Sequence, residues 1–161
     1  MKTLKFLSKE EKFSIILPPK PSSEIIRAAK KYYPNEVGGA LVGYYDKNKN
    51  NAIVISIINI TEGGRFQLKI KGKSLHVELQ KIWKQSKGTL YYLGEWHSHP
   101  NNTPKPSILD RKTMMSIGRS KSEYCTSPIL IIIGNEFENV DEDLQAYIFP
   151  KCISYIKTYK K

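Results

Sequence analysis

The stretch from Leu90 to Pro100 does more than any other to constrain how this chain can fold. It opens with the apolar and aromatic residues Leu-Tyr-Tyr-Leu, a pattern typical of a buried strand. Pro100 ends the strand because proline has no N–H to give to a ladder. Two of the three histidines, His97 and His99, come just before it, on one face and roughly 6.5–7 Å apart along the strand. This spacing lets both imidazoles reach one metal ion, although taken alone it fits a pair of ordinary surface histidines equally well.

A carboxylate at the start of a helix follows within a short distance. Pro106 and the pattern Ser107-x-x-Asp110 predict a helix N-terminus, with Ser107 as the N-cap and Asp110 in the first turn. A short loop between strand and helix can place Asp110 beside the two histidines. Two histidines and one carboxylate leave a fourth tetrahedral position for water, as in catalytic zinc sites. A simple capping box is the alternative interpretation, and the two are compatible.

Together with Glu36, these residues resemble the signature of the JAMM (MPN+) zinc metallopeptidases, which are isopeptidases and peptidases of ubiquitin-like conjugates and their bacterial relatives. The elements present are the upstream glutamate, His97-Ser98-His99-Pro100, and Ser107-x-x-Asp110. The segment Gly94–Pro100 further resembles the stand-alone bacterial branch, whose best-known members sit in antiphage operons with enzymes similar to those of ubiquitin transfer. The resemblance covers about residues 20–150.

The resemblance implies both a set of roles and a fold. His97, His99 and Asp110 would bind Zn²⁺, and Glu36 would be the general base beside the activated water. Ser107 would donate a hydrogen bond to the developing oxyanion. The implied fold is the JAB/MPN domain, a cytidine-deaminase-like α/β sandwich.

Other residues near the motif are given structural roles. Glu95 is expected to alternate away from the ligands on the strand and at most to support them, and Trp96 is expected to pack. The third histidine, His76, lies off the apolar stripe of its helix and is expected to be exposed. The sequence contains neither His-Glu-x-x-His nor Pro-Cys-x-x-Cys, which argues against a thermolysin-like protease and a nucleobase deaminase.

The chain length predicts one domain over residues 1–161. Hydrophobic periodicity predicts an α/β architecture, a mixed β-sheet flanked by helices. The domain core, at about residues 20–150, is the part that the resemblance implies. Residues 157–161 are expected to be a frayed basic tail. The small residues of the strand 37–45 suggest a neighbouring backbone or bound group that approaches closely. The predicted elements are a strand around 13–17, a helix over 24–33 capped by Ser22 or Ser23, a hairpin of 37–45 and 52–60, a possible edge strand over 65–71, a helix over 74–85, the central strand, a helix from Ser107 to about Gly118, and strands at 128–134 and 144–149.

Composition narrows the possible partners and the compartment. The net charge is +11, but only four of the 26 basic residues are arginine and the lysines are scattered along the chain. This argues against specific nucleic-acid recognition. No apolar run approaches the ~18 residues of a membrane span. The two cysteines, Cys125 and Cys152, are expected to be reduced and without a metal, and the chain is expected to be cytoplasmic.

We therefore expect a zinc-dependent peptidase or isopeptidase that hydrolyses the bond after the C-terminal tail of a ubiquitin-like modifier or a similarly conjugated protein. The segment Thr61–Lys73 is expected to face that tail, because its glycines and its short alternation suit the addition of an extended strand. One alternative is a peptidase that processes a sulfur-carrier protein or its adduct. Another is a non-catalytic MPN-type interaction module. The sequence does not specify the oligomeric state.

Overall fold

The protein is described by a computed structural model that covers residues 2–60, 72–119, 125, 127–135, 137, 143–150 and 155–160. In these parts of the chain, eight strands and three helices are formed. They are β1 (Leu4–Ser8), β2 (Ser14–Leu17), α1 (Pro19–Tyr32), β3 (Gly38–Tyr45), β4 (Asn51–Ile60), α2 (Gly72–Gln85), β5 (Tyr91–Pro100), α3 (Ile108–Arg119), β6 (Ile129–Asn135), β7 (Leu144–Ile148) and β8 (Ile156–Lys160).

The strands form one mixed sheet in the order β1-β2-β4-β3-β5-β6-β7-β8. The pairs β2–β4 and β5–β6 are parallel, and the other neighbouring pairs are antiparallel. The predicted α/β domain with a mixed sheet and flanking helices is confirmed. The sheet also closes, because β8 pairs with β1, a detail that the sequence pattern did not predict.

Among the residues that the structure describes, buried side chains form three clusters around the sheet. The largest contains Trp96, Val37 and residues of α1, which confirms that Trp96 packs. The other two cover the opposite face of the central strands. We call them the α2 cluster (Ala40, Val42, Ile58 and Leu75) and the α3 cluster (Met114, Leu130, Ile132, Tyr147 and Phe149).

Helix α1 begins at Pro19, five residues before the predicted start, and Ser22 and Ser23 are not its N-cap. Proline is tolerated in a first turn because the N–H it lacks would have no partner inside the helix. The Ser22 hydroxyl instead donates to the carbonyl oxygen of Pro18 at 2.9 Å. Helix α3 runs from Ile108 to Arg119, within one residue of the prediction at each end.

The two ends of the described chain contain strands that the sequence analysis missed. Only one strand was predicted near the start, but β1 and β2 form an antiparallel pair. The prediction of a frayed tail was wrong, because β8 is bonded on both sides, to β1 and β7. Thr158 is fully buried there, and its hydroxyl donates to the carbonyl oxygen of Ala146 at 2.7 Å.

Glycines allow close backbone approach in the central strands. A Cβ on Gly39 would lie 1.8 Å from the carbonyl oxygen of Ile58 in β4, so the expected neighbouring backbone is present. In β5, the register with β3 shifts between Leu41 and Val42, and Gly94 has φ +146° beside this bulge. The predicted edge strand over residues 65–71 lies outside the described residues. None of the helices that the structure describes is both long and apolar enough to cross a membrane.

Candidate active site

Strand β5 supplies the two histidines from the centre of the sheet. It lies between β3 and β6, and His97 is in register with Gly38 on one side and Ile132 on the other. This placement buries the His97 side chain, which is only 6% exposed. Pro100 is the last residue of the strand, as predicted, so His99 lies at its carboxyl end, where the loop to α3 begins.

The side chains of His97, His99 and Asp110 converge on one point. The Nε2 atoms of the two histidines are 3.0 Å apart. Nε2 of His97 is 3.6 Å from Oδ1 of Asp110, and Nε2 of His99 is 3.8 Å from Oδ2. Ligand atoms about 2.0–2.1 Å from a tetrahedral zinc ion stand about 3.3 Å from one another. These separations involve both oxygens of Asp110, and with one ligand atom from each residue the three atoms lie within 4.8 Å of one another. The donor set of two imidazoles and one carboxylate fits a zinc ion.

A backbone carbonyl orients the His99 ring. Nδ1 of His99 lies 3.3 Å from the carbonyl oxygen of Thr103. Because a carbonyl oxygen only accepts, Nδ1 carries the hydrogen and Nε2 keeps the lone pair that a metal requires. Burial, together with the neighbouring His97, lowers the pKa of His99. Both effects favour the neutral imidazole, which is the form that binds metal.

Ser107 and Asp110 hold each other at the start of α3. The backbone N–H of Ser107 donates to Oδ2 of Asp110 at 2.6 Å, and the backbone N–H of Asp110 donates to the Ser107 hydroxyl oxygen at 3.1 Å. This is the reciprocal geometry of a capping box. Burial alone would raise the pKa of Asp110, but His97 and the Ser107 hydrogen bonds hold that pKa well below its usual range. The carboxylate is therefore fixed in its ionised form.

The backbone around Glu36 is joined to the histidine strand. The N–H of Val37 donates to the Ser98 hydroxyl at 3.0 Å, and the N–H of Ser98 donates to the Val37 carbonyl at 2.7 Å. Glu36 immediately precedes this junction, and its side chain is exposed. Glu36 is therefore an exposed carboxylate one residue away from a backbone junction with the histidine strand.

The expectation that Glu95 alternates away from the ligands was wrong. Residues two apart on a strand share a face, so Glu95 lies on the same side of β5 as His97 and His99. The burial pattern agrees. On the opposite side of β5, Trp96 packs in the largest apolar cluster and the Ser98 hydroxyl accepts a hydrogen bond from the N–H of Val37. Glu95 is 9% exposed, and the Tyr92 hydroxyl donates to it at 3.5 Å. Counting positions along the strand would have found this residue from the sequence.

Several residues near the site have no chemical role in the geometry. Cys125 is buried, its thiol donates to the Leu93 carbonyl at 3.6 Å, and burial raises its pKa to about 12. It is therefore a poor nucleophile. His76 is exposed on α2, as expected. The predicted substrate-facing segment Thr61–Lys73 lies outside the described residues up to position 71.

A two-histidine, one-carboxylate cluster at the end of a central strand is the arrangement of a metal-dependent hydrolase. The protein family described as prokaryotic homologs of the JAB domain matches residues 19–147. The chain belongs to this family, which makes it a hydrolase of the JAMM type, and the alternative of a non-catalytic module is not supported.

Relatives agree with this assignment. The chain is 29% identical over 141 residues to a CD-NTase/cGAS isopeptidase from Enterobacter hormaechei subsp. hoffmannii, covering 84% of this chain and 76% of the relative. It is 27% identical over 135 residues to a probable metalloprotease from Sinorhizobium fredii, covering 78% of each. A solution structure of a Desulfitobacterium hafniense protein matches the fold with a TM-score of 0.57 and 21% identity, covering 89% of this chain and 86% of that one.

Proposed function

We propose that this protein is a zinc-dependent isopeptidase or peptidase that hydrolyses the bond after the C-terminal tail of a ubiquitin-like modifier or a similarly conjugated protein. The observation that carries the proposal is the convergence of His97, His99 and Asp110, whose ligand atoms all lie within 4.8 Å of one another. An ion bound by these three groups leaves a position open for water and substrate.

We also propose roles for the remaining groups, and their positions support these roles. A zinc ion in such a site activates a water molecule for attack and polarises the carbonyl of the bond to be cut. Glu36, the exposed carboxylate beside the junction with the histidine strand, would accept a proton from the attacking water and return it to the departing amine. The Ser107 hydroxyl, whose oxygen accepts a hydrogen bond from the backbone N–H of Asp110, would donate its O–H to the carbonyl oxygen as negative charge develops.

The names of the relatives support the proposed substrate class. The name CD-NTase/cGAS isopeptidase describes an enzyme that releases a protein joined through an isopeptide bond. We place the same chemistry here, with the substrate tail lying near Thr61–Lys73 and with antiphage defence in the cytoplasm as the setting. Trimming of a sulfur-carrier protein uses the same hydrolytic step on a similar glycine-ended tail, and the test below separates the two.

The test is cleavage of defined fusions by the purified protein. One substrate joins a ubiquitin-like domain ending in Gly-Gly to a lysine side chain of a carrier protein, and the other joins a sulfur-carrier protein to the same carrier through a peptide bond. We expect cleavage of the isopeptide, loss of cleavage with a chelator, and recovery when zinc is added back. The Glu36→Gln protein should retain zinc and lose at least about 10²-fold in kcat, because proton transfer is removed while the ligands are intact.

Near-wild-type turnover by a zinc-loaded Glu36→Gln protein would remove Glu36 from the mechanism. Cleavage of the sulfur-carrier fusion alone would replace the proposed substrate with the alternative.

A further inference from the structure

Glu95 is a buried carboxylate without a cationic partner in the described parts of the chain. Its side chain is 9% exposed. Among those residues, its polar contact is the Tyr92 hydroxyl at 3.5 Å, which is at the outer limit of a hydrogen bond. Buried ionisable groups in proteins are normally paired with an opposite charge or bound to a metal. An unpaired position of this kind therefore requires an explanation.

The neighbours of Glu95 across the sheet offer it no compensation. It is in register with Ala40 of β3 and with Leu130 of β6. Ala40 belongs to the α2 cluster and Leu130 to the α3 cluster, so Glu95 lies at the boundary between two apolar clusters. Among the described residues, the ionisable groups close enough to act on its charge are Tyr92, His97 and Asp110. Among these groups, His97 and Asp110 belong to the candidate metal centre, so an ion bound there would offer this carboxylate a counter-charge.

Glu95 is not itself one of the converging ligands. Within the described residues, the group whose ligand atoms meet consists of His97, His99 and Asp110. A zinc ion bound by two neutral imidazoles and one carboxylate retains a net charge of about +1. One further carboxylate at a short distance in a poorly solvated region would balance that charge.

We propose that Glu95 is a positioning residue of the metal centre, a buried carboxylate that compensates the charge of the bound ion and so increases zinc affinity. The inference rests on the zinc site of the proposed function. The proposed hydrolytic steps give the Glu95 carboxylate no role, and this proposal supplies one. It also predicts that replacing Glu95 has opposite effects on the stability of the metal-free and the zinc-bound protein. Among the described residues the carboxylate has no cationic partner, and bound zinc would supply one.

Metal-free protein provides the test, and no substrate is needed. Zinc affinity is measured by competition with a chromophoric chelator for the wild type, Glu95→Gln, Glu95→Asp and Glu78→Gln. Glu78 is an exposed glutamate of α2, which makes its substitution a matched loss of one negative charge. We expect Glu95→Gln to raise the zinc Kd by about 10-fold or more, as is typical when a group supporting a metal ligand is removed. Glu95→Asp should keep part of the affinity, and Glu78→Gln should stay within about twofold.

Thermal melting separates this role from a structural one. Without zinc, Glu95→Gln should melt at or above the wild-type temperature, because a neutral amide replaces a buried carboxyl that has no cationic partner among the described residues. The rise in melting temperature on adding zinc should be smaller than in the wild type.

Three other results would each overturn the inference. Equal zinc affinities for Glu95→Gln and Glu78→Gln would overturn it while leaving the proposed function intact. A metal-free Glu95→Gln protein that fails to fold would also overturn it, because Glu95 would then act on the fold. A wild-type protein that does not bind zinc would refute the proposed function and this inference with it.

Discussion

At the scale of single residues, groups outside the cluster hold the ligands in place. The Thr103 carbonyl orients His99, and the backbone N–H of Ser107 holds Asp110. Such support reduces the ordering that metal binding would otherwise require. These contacts therefore limit the positions that the His99 and Asp110 side chains can take.

Strand periodicity and helix capping are local rules, and they allowed His97, His99 and Asp110 to meet. The resemblance to the JAMM signature turned that possibility into a prediction. The same periodicity was misapplied to Glu95, which lies on the face of the ligands. Its burial could not have been predicted so simply, since it depends on Ala40 and Leu130 in neighbouring strands.

Substitution of Ser107 separates its two roles as helix cap and hydrogen-bond donor. Alanine at an N-cap destabilises by about 0.5–2 kcal/mol, whereas glycine costs only a few tenths. We expect Ser107→Gly to melt almost normally and to lose roughly 10²–10³-fold in kcat, because the donor to the oxyanion is gone. Steady-state kinetics, with zinc content measured alongside, would check this. A loss below about threefold in folded, zinc-loaded protein would leave Ser107 as a cap alone.

At the scale of elements, the bulge in β5 sets the register that brings His97 to the end of the strand. Gly94 lies beside that bulge with φ +146°, and a Cβ there would stand 1.9 Å from the carbonyl oxygen of Ile129. A side chain at this position would force β5 and β6 apart. The sequence showed the glycine but not the reason for it, because the close approach comes from a strand 35 positions further along the chain.

Gly94→Ala should therefore destabilise the protein by at least about 2 kcal/mol, through both backbone strain and the clash with β6. The matched control is Gly118→Ala in α3, where the added Cβ would lie 3.0 Å from the carbonyl oxygen of Phe149. Alanine has a better helix propensity than glycine, which offsets that tight contact. The control should therefore change stability by less than about 1 kcal/mol. Urea unfolding of both proteins measures the difference, and equal stabilities would show that β5 and β6 tolerate a side chain between them.

At the scale of the whole molecule, β8 closes the sheet by joining β1 to β7. Local patterns predicted most of the remaining fold, including the β3–β4 hairpin and the buried strand β6, because each has its own periodicity or apolar run. They could not predict the closure. The short, lysine-rich segment 156–160 is a strand only because it pairs with β1, near the start of the chain, and with β7.

Removal of residues 155–161 should lower the melting temperature by more than about 5 °C, since it opens two strand edges and removes the buried Thr158. The exposed edges should also promote association, visible by light scattering. Deletion of Lys161 alone is the control and should have little effect. If the longer truncation melts at the same temperature as the full chain, the segment contributes nothing to stability and behaves as a frayed tail.

The central claim is that one zinc ion is bound by His97, His99 and Asp110, and elemental analysis of the purified protein tests it most directly. We expect about one zinc per chain in the wild type and in His76→Ala, which changes the exposed histidine of α2. We expect almost none in His97→Ala, because two ligands do not retain zinc through dialysis. Undiminished, tightly bound zinc in folded His97→Ala protein would contradict the account.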